Sequence, residues 1–180
     1  MIHKYFIAIV PPEPSLSAIQ KIKQDVFDTY GTKGALRSPG HITLHMPFSW
    51  EENKEEKLIA GLQSFRFEKD ITIQLKNFDC FEPRVIFIDV IKNTILEELQ
   101  KSLVQHVKKQ LQLFNQADDM RGFHPHITIA FRDLKKPVFY KAWEEYKAKE
   151  FSAEFLSSSC CLLKQVGQQW EIYKEFKFLE

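Results

Sequence analysis

The spacing of apolar and polar positions changes along the chain, and each change marks an element. Tyr5 to Val10 is a β-rich apolar run stopped by Pro11-Pro12, the pattern of a buried first strand. From Ser15 to Tyr30 the residues Leu16, Ile19, Ile22, Val26 and Phe27 recur at helical spacing. Pro14 suits the entry to this helix, and Gly31 and Gly34 break it. Ala35 to Arg37 reads as a short strand and Ser38-Pro39-Gly40 as a turn. Then Ile42, Leu44 and Met46 alternate with His41, Thr43 and His45, which predicts a half-buried strand. Pro47 is expected to end its regular pairing, because proline has no ladder donor.

The second half repeats the scheme. Glu51 to Leu62 reads as a charged helix. Phe67 to Phe78 and Val85 to Ile91 read as an antiparallel hairpin with Pro83 in its turn. Thr94 is the expected N-cap of a helix to about Phe114, with Leu96, Leu99, Leu103, Val107 and Leu111 as its stripe. Ala117 to Gly122 reads as a polar loop. Ile127, Ile129 and Phe131 then alternate with His126, Thr128 and Ala130, a second half-buried strand. Pro137 to Lys149 is the last helix, and Phe151 to Leu163 with Trp170 to Phe178 a closing hairpin around Gly167. The expectation is one α+β domain over residues 1–180, bilobal, with two antiparallel sheets, helices on one face of each and a groove between.

Composition narrows the class. At 180 residues, 44% apolar and 27% charged, the chain can bury one sizeable core. No run is apolar enough to span a membrane, and the first residues lack a signal peptide's pattern, so a cytoplasmic location is expected. Cys80, Cys160 and Cys161 are odd in number and two are adjacent, which suits reduced thiols. A net charge of +1 argues against a broad footprint on long nucleic acid and suits a small phosphate or the end of an oligonucleotide. A monomer is expected.

The chemistry lies in a repeated phrase. His41-Ile42-Thr43-Leu44 and His126-Ile127-Thr128-Ile129 have the same form, where chance placement gives only about 0.2 His-x-Thr triplets in such a chain. Each strand presents an imidazole and a hydroxyl roughly 6–7 Å apart on one face, a spacing that brackets a tetrahedral phosphate. Two imidazoles on opposite sides of a phosphorus can divide the work of base and acid, and threonine hydroxyls can donate to the non-bridging oxygens. His126 is read as the base and His41 as the acid. Either histidine alone would read as an ordinary surface or core residue; the duplicate makes the pair the candidate centre. His45 and His124 share a face with the motif histidines and read as rim residues. His41, His45, His124 and His126 together also raise a metal site, which would leave the threonines unexplained. Arg132, at an even offset from His126, is a candidate phosphate donor, and Phe48 a candidate surface for stacking a base. Tyr5 and Arg37 are weaker candidates at the border of the site.

The two motifs resemble those of the 2H phosphoesterase superfamily, and Tyr5 to Pro12 resembles the first strand of its 2′-5′ RNA ligase-like branch, as does an aromatic just past the first motif, here Phe48. The resemblance implies a pseudo-two-fold bilobal fold and chemistry without metal or cofactor. It implies His41 and His126 as the catalytic pair and Thr43 and Thr128 as phosphate ligands. A basic residue in that branch usually stands one position before Arg132, where this chain has Phe131. The implied reaction opens a 2′,3′-cyclic phosphate on a nucleotide or RNA end to a 2′-phosphate, with 2′-5′ ligation as a related activity. The alternatives are a non-catalytic module that binds nucleotides or RNA ends, or a hydrolase of a small non-nucleotide cyclic phosphate.

Overall fold

A computed structural model of the chain describes residues 1–115 and 122–179. The expected loop from Ala117 to Gly122 therefore lies almost wholly outside the described residues. The strands are β1 (Ile2–Ile9), β2 (Ile42–Glu51), β3 (Ile71–Phe81), β4 (Val85–Val90), β5 (His126–Ala130), β6 (Ser152–Ser157), β7 (Ser159–Val166) and β8 (Gln169–Lys177). The α-helices are α1 (Ser15–Tyr30), α2 (Glu55–Gln63), α3 (Thr94–Leu111) and α4 (Lys136–Tyr146). They build two antiparallel four-stranded sheets, ordered β2-β1-β7-β8 and β5-β4-β3-β6.

Four local expectations are corrected. Ala35 to Arg37 is part of a 3-10 turn, Gly34–Arg37, rather than a strand. The Asp133 carboxylate takes the backbone N–H groups of Lys33 and Gly34 and pins that turn against the end of β5. Pro47 does not end its strand: β2 runs on to Glu51. As the edge strand of its sheet it tolerates a missing donor. The cap of α3 is Asn93, whose side chain accepts from the Leu96 N–H, and that helix ends at Leu111. Finally, the closing segment divides between the sheets. β6 pairs with β3 in the second sheet, while β7 returns to β1 in the first and pairs with β8. One lobe is thus made from both ends of the chain.

A single apolar cluster runs through both sheets, from Tyr5, Ile7 and Ile9 of β1 to Ile71, Ile73 and Leu75 of β3, with Leu96, Leu99, Leu103 and Val107 of α3. A smaller cluster of Phe6, Ala8, Cys161 and Leu163 occupies the opposite face of the first sheet, with Val10 and Trp170 against it. Residues alternate between these clusters along β1, as strand geometry requires.

The start of α2 is fastened by one carboxylate to the face of the first sheet that carries Tyr5, the face turned to the main core. Glu55 accepts from the Tyr5 hydroxyl, from the Tyr173 hydroxyl at 2.6 Å and from Lys164 Nζ at 2.7 Å. Although burial pushes its carboxyl up, these donors hold it at about 2, against an ordinary value of 4.5. A depressed carboxylate contributes stability above its unfolded value and loses it as pH falls through the folded one. We expect Glu55 to supply about 3 kcal/mol at neutral pH, lost between about pH 4.5 and 2. Urea unfolding of Glu55→Gln across this window should show a flatter acid limb than the parent. Parallel limbs would remove Glu55 from the account.

Candidate active site

Both histidine motifs lie on edge strands, β2 of one sheet and β5 of the other, and these two strands come together where the sheets meet. Along each, the inner residues of the motif are fully buried: Ile42 and Leu44 in β2, Ile127 and Ile129 in β5. His41, Thr43, His126 and Thr128 are partly accessible.

A bulge follows each threonine at the same point of the motif. In β2, Thr43 stands opposite Ala8 and His45 opposite Ile7, leaving Leu44 as an extra residue. In β5, Thr128 stands opposite Phe87 and Ala130 opposite Ile86, leaving Ile129 extra. A bulge shifts alternation by one residue and re-aims the side chains beyond it. Leu44 and His45 are therefore both buried, as are Ile129 and Ala130. Each strand shows its His-x-Thr to one side and then turns the next residue into the core.

The two imidazoles are held alike. His41 Nδ1 lies 2.8 Å from the Pro39 carbonyl and His126 Nδ1 lies 2.7 Å from the His124 carbonyl, two residues upstream in each case. A carbonyl can only accept, so Nδ1 carries the proton and Nε2 is left with its lone pair. Each ring also packs on an aromatic of the neighbouring strand, Phe6 against His41 at 4.8 Å between centroids and Phe87 against His126 at 4.9 Å. Phe6 and Phe87 belong to β1 and β4, the second strands of their sheets. Trp170 backs Phe6 and Phe81 backs Phe87, so the arrangement is two-fold repeated to a third residue.

The electrostatics are not symmetric. Burial pushes His41 down to about 4, helped by the charges of Lys23 and His126 and opposed by the Pro39 carbonyl. Burial also lowers His126, opposed by the His124 carbonyl, helped by the His124 ring, and opposed last by Asp89, which stands opposite it across β4–β5. Both imidazoles are thus held below their ordinary value, and among the described residues only at His126 does a carboxylate oppose the shift.

A sequence profile of the 2′-5′ RNA ligase superfamily matches residues 10–169, which takes in both motifs. The chain belongs to the 2′-5′ RNA ligase superfamily. A provisionally named phosphoesterase of Geobacillus kaustophilus (strain HTA426) is 30% identical over 177 residues, covering 96% of this chain and 95% of that protein. Among solved structures, Escherichia coli LigT complexed with 3′-AMP superposes with a TM-score of 0.67 at 16% identity over 100% of both chains. TT0787 of Thermus thermophilus gives 0.65 at 20% identity over 97% of each. These likenesses bear out the α+β fold of two antiparallel sheets.

The other candidates from the sequence scatter within this superfamily fold. His45 is buried, with Nδ1 at 2.9 Å from the Met46 carbonyl and its ring edge-on to Phe48, so the four histidines do not converge. Met46, expected in the core, is exposed instead. Phe48 lies opposite Tyr5, stacks on it and packs against the main core, on the side away from Phe6 and His41. That placement sets Phe48, the candidate base-stacking residue, on the other side of the strand from His41. Tyr5 is committed to Glu55, and Arg37 closes the 3-10 turn.

Arg132 lies beyond the bulge, where an even offset from His126 no longer fixes the side of the strand. The strand stops at Ala130, and Arg132 takes a left-handed φ of 63° to lay its guanidinium over the Phe131 ring at 4.9 Å. Asp133 does not pair with it, being bound to Thr32, Lys33 and Gly34. Arg132 instead lines an open cleft of about 470 Å³ with Arg84 and Lys136. Among the described residues these three cations make no ion pair.

Sequence reasoning missed Lys23. It sits on the buried stripe of α1 between Ile19 and Val26, where helical spacing calls for an apolar residue. A lysine at that phase was the available signal. It also missed Asp89, whose place opposite His126 needed the strand register.

Proposed function

We propose that this protein is a metal-independent phosphoesterase, monomeric and cytoplasmic, that opens 2′,3′-cyclic phosphates of nucleotides or RNA ends to 2′-phosphates. The observation that carries the reading is the pair of imidazoles, each fixed through Nδ1 with Nε2 unprotonated, on strands that bring a threonine hydroxyl beside each.

We assign the rings the opposite roles to those read from the sequence, a choice supported by the larger lowering of His41. His41 Nε2 accepts a proton from water as the water oxygen bonds to phosphorus. The phosphorus–O3′ bond breaks, and His126, protonated when the anionic phosphate is bound and with Asp89 near it, gives its proton to O3′. The product keeps the phosphate on O2′. Thr43 and Thr128 donate to the non-bridging oxygens, where charge accumulates. With an RNA 5′-hydroxyl in place of water, the same groups would form a 2′-5′ linkage. The reading is supported by the phosphoesterase names of the Geobacillus relatives and by LigT having been solved with 3′-AMP and with phosphate. The cleft of Arg84, Arg132 and Lys136 favours an RNA end over a lone nucleotide, since a chain carries further phosphates.

The test is hydrolysis of the four nucleoside 2′,3′-cyclic monophosphates and of an oligonucleotide ending in a cyclic phosphate, all with a chelator present. Release of the 2′-phosphate is expected, with the oligonucleotide turned over faster. A 3′-phosphate product would overturn the assigned bond. Tight binding with no turnover of either substrate would leave the binding module standing in its place.

A further inference from the structure

Two successive turns of α1 hold the three residues that lead into His41. Lys23 is 1% exposed, and its Nζ donates to the Ser38 carbonyl at 2.6 Å. Gln20 accepts the Gly40 N–H on Oε1 at 3.0 Å. Ile19 approaches Gly40 so closely that a Cβ there would meet its Cγ2 at 2.7 Å, which explains the glycine. Between Ser38 and Gly40 stands Pro39, whose carbonyl takes the His41 Nδ1 proton. The helix therefore grips this strap on both sides of the one carbonyl that aims the imidazole.

Packing alone does not call for a lysine at position 23. An apolar side chain would fill the stripe without the cost of desolvating an ammonium. We propose that Lys23 is a positioning residue for the reaction: it fixes the Ser38–Gly40 strap through the Ser38 carbonyl and so holds the Pro39 carbonyl that aims His41. The charge on Lys23 is a second influence on the same ring, acting in the same direction as burial. The consequence for turnover rests on the function proposed above; the consequence for the His41 titration does not.

The charged and titratable groups acting on His41 are Lys23 from α1 and His126 from β5, while β1 contributes the Phe6 ring. Burial lowers Lys23 to about 8, which still leaves it cationic at neutral pH. No counter-charge from the described residues offsets it: its hydrogen bond goes to a neutral carbonyl.

The experiment is an NMR titration of the histidine rings in the parent and in Lys23→Met, Lys23→Arg and Gln20→Leu, with pH–rate profiles on a cyclic phosphate. In Lys23→Met the His41 pKa should rise by about one unit while His126 stays. Its kcat should fall about tenfold on the plateau above the acid limb, through the loosened strap, with KM little changed. Its Tm should hold or rise, because a buried charge has been removed. Lys23→Arg should restore the His41 titration. Gln20→Leu, which loosens the strap and removes no charge, should lower kcat without moving that titration. An unmoved His41 in Lys23→Met, or a loss of turnover that follows a falling Tm, would overturn the proposal. If the parent turns over no cyclic phosphate, the proposed function falls and the ring titrations still decide the role of Lys23.

Discussion

His41→Ala is expected to lower kcat for opening a cyclic phosphate by about 10²–10⁴-fold, and His126→Ala by a similar factor. The fold should survive both, because neither ring belongs to the buried core and each side chain's hydrogen bond goes to its own strand's approach. The double variant should be little worse than either single one, since acid and base act as a unit. Circular dichroism and Tm check the fold, and initial rates with the chelator present check the chemistry. Full turnover in either single variant would sink the two-histidine mechanism. The pH profile separates the roles. A base that is neutral in the free enzyme sets the acid limb of kcat/KM, so that limb should lie well below the usual histidine range and disappear as a His41 signature in His41→Ala. His126 should set the alkaline limb.

The sequence carried the motif but not the bulges that make it work. His-x-Thr in an apolar frame is visible because a strand's period is two, and both copies do present His and Thr to one side. Beyond the threonine the same period misleads. It put His45 and Arg132 on the face of the motif histidines and Met46 and Phe131 in the core. One extra residue at Leu44 and another at Ile129 reverse the parity, and no residue type at those positions announces it. The helices were legible because their apolar stripes are long, and the breaks followed proline and glycine. The division of β6 and β7 between the two sheets was not legible. Ser157-Ser158-Ser159 has no turn signal strong enough to separate one strand from the next, and which sheet a strand joins depends on partners far along the chain. The pairing that sets Asp89 opposite His126 and the helix stripe that buries Lys23 are likewise tertiary facts. Both introduce the asymmetry that a repeated motif hides.

Thr43→Val and Thr128→Val should each reduce kcat by about 10²-fold, and together by more than either alone. Valine keeps the β-branched shape and suits a strand at least as well as threonine, so stability should be unchanged or slightly higher. The change removes the hydroxyl and little else. Among the described residues neither hydroxyl has a hydrogen-bond partner, although both lie beside a fixed imidazole. In the strands these oxygens are unused, which is what a donor reserved for phosphate requires. The effect should fall on kcat more than on KM, because the non-bridging oxygens gain charge as the ring opens. Thr→Ser at either position keeps the donor and should retain most of the rate, with some loss from the freer side chain. If valine at both positions left kcat intact, the threonines would be strand-forming residues only. The phosphate would then have to be held by backbone N–H groups of the bulged segments, whose alternation is already broken just past each threonine.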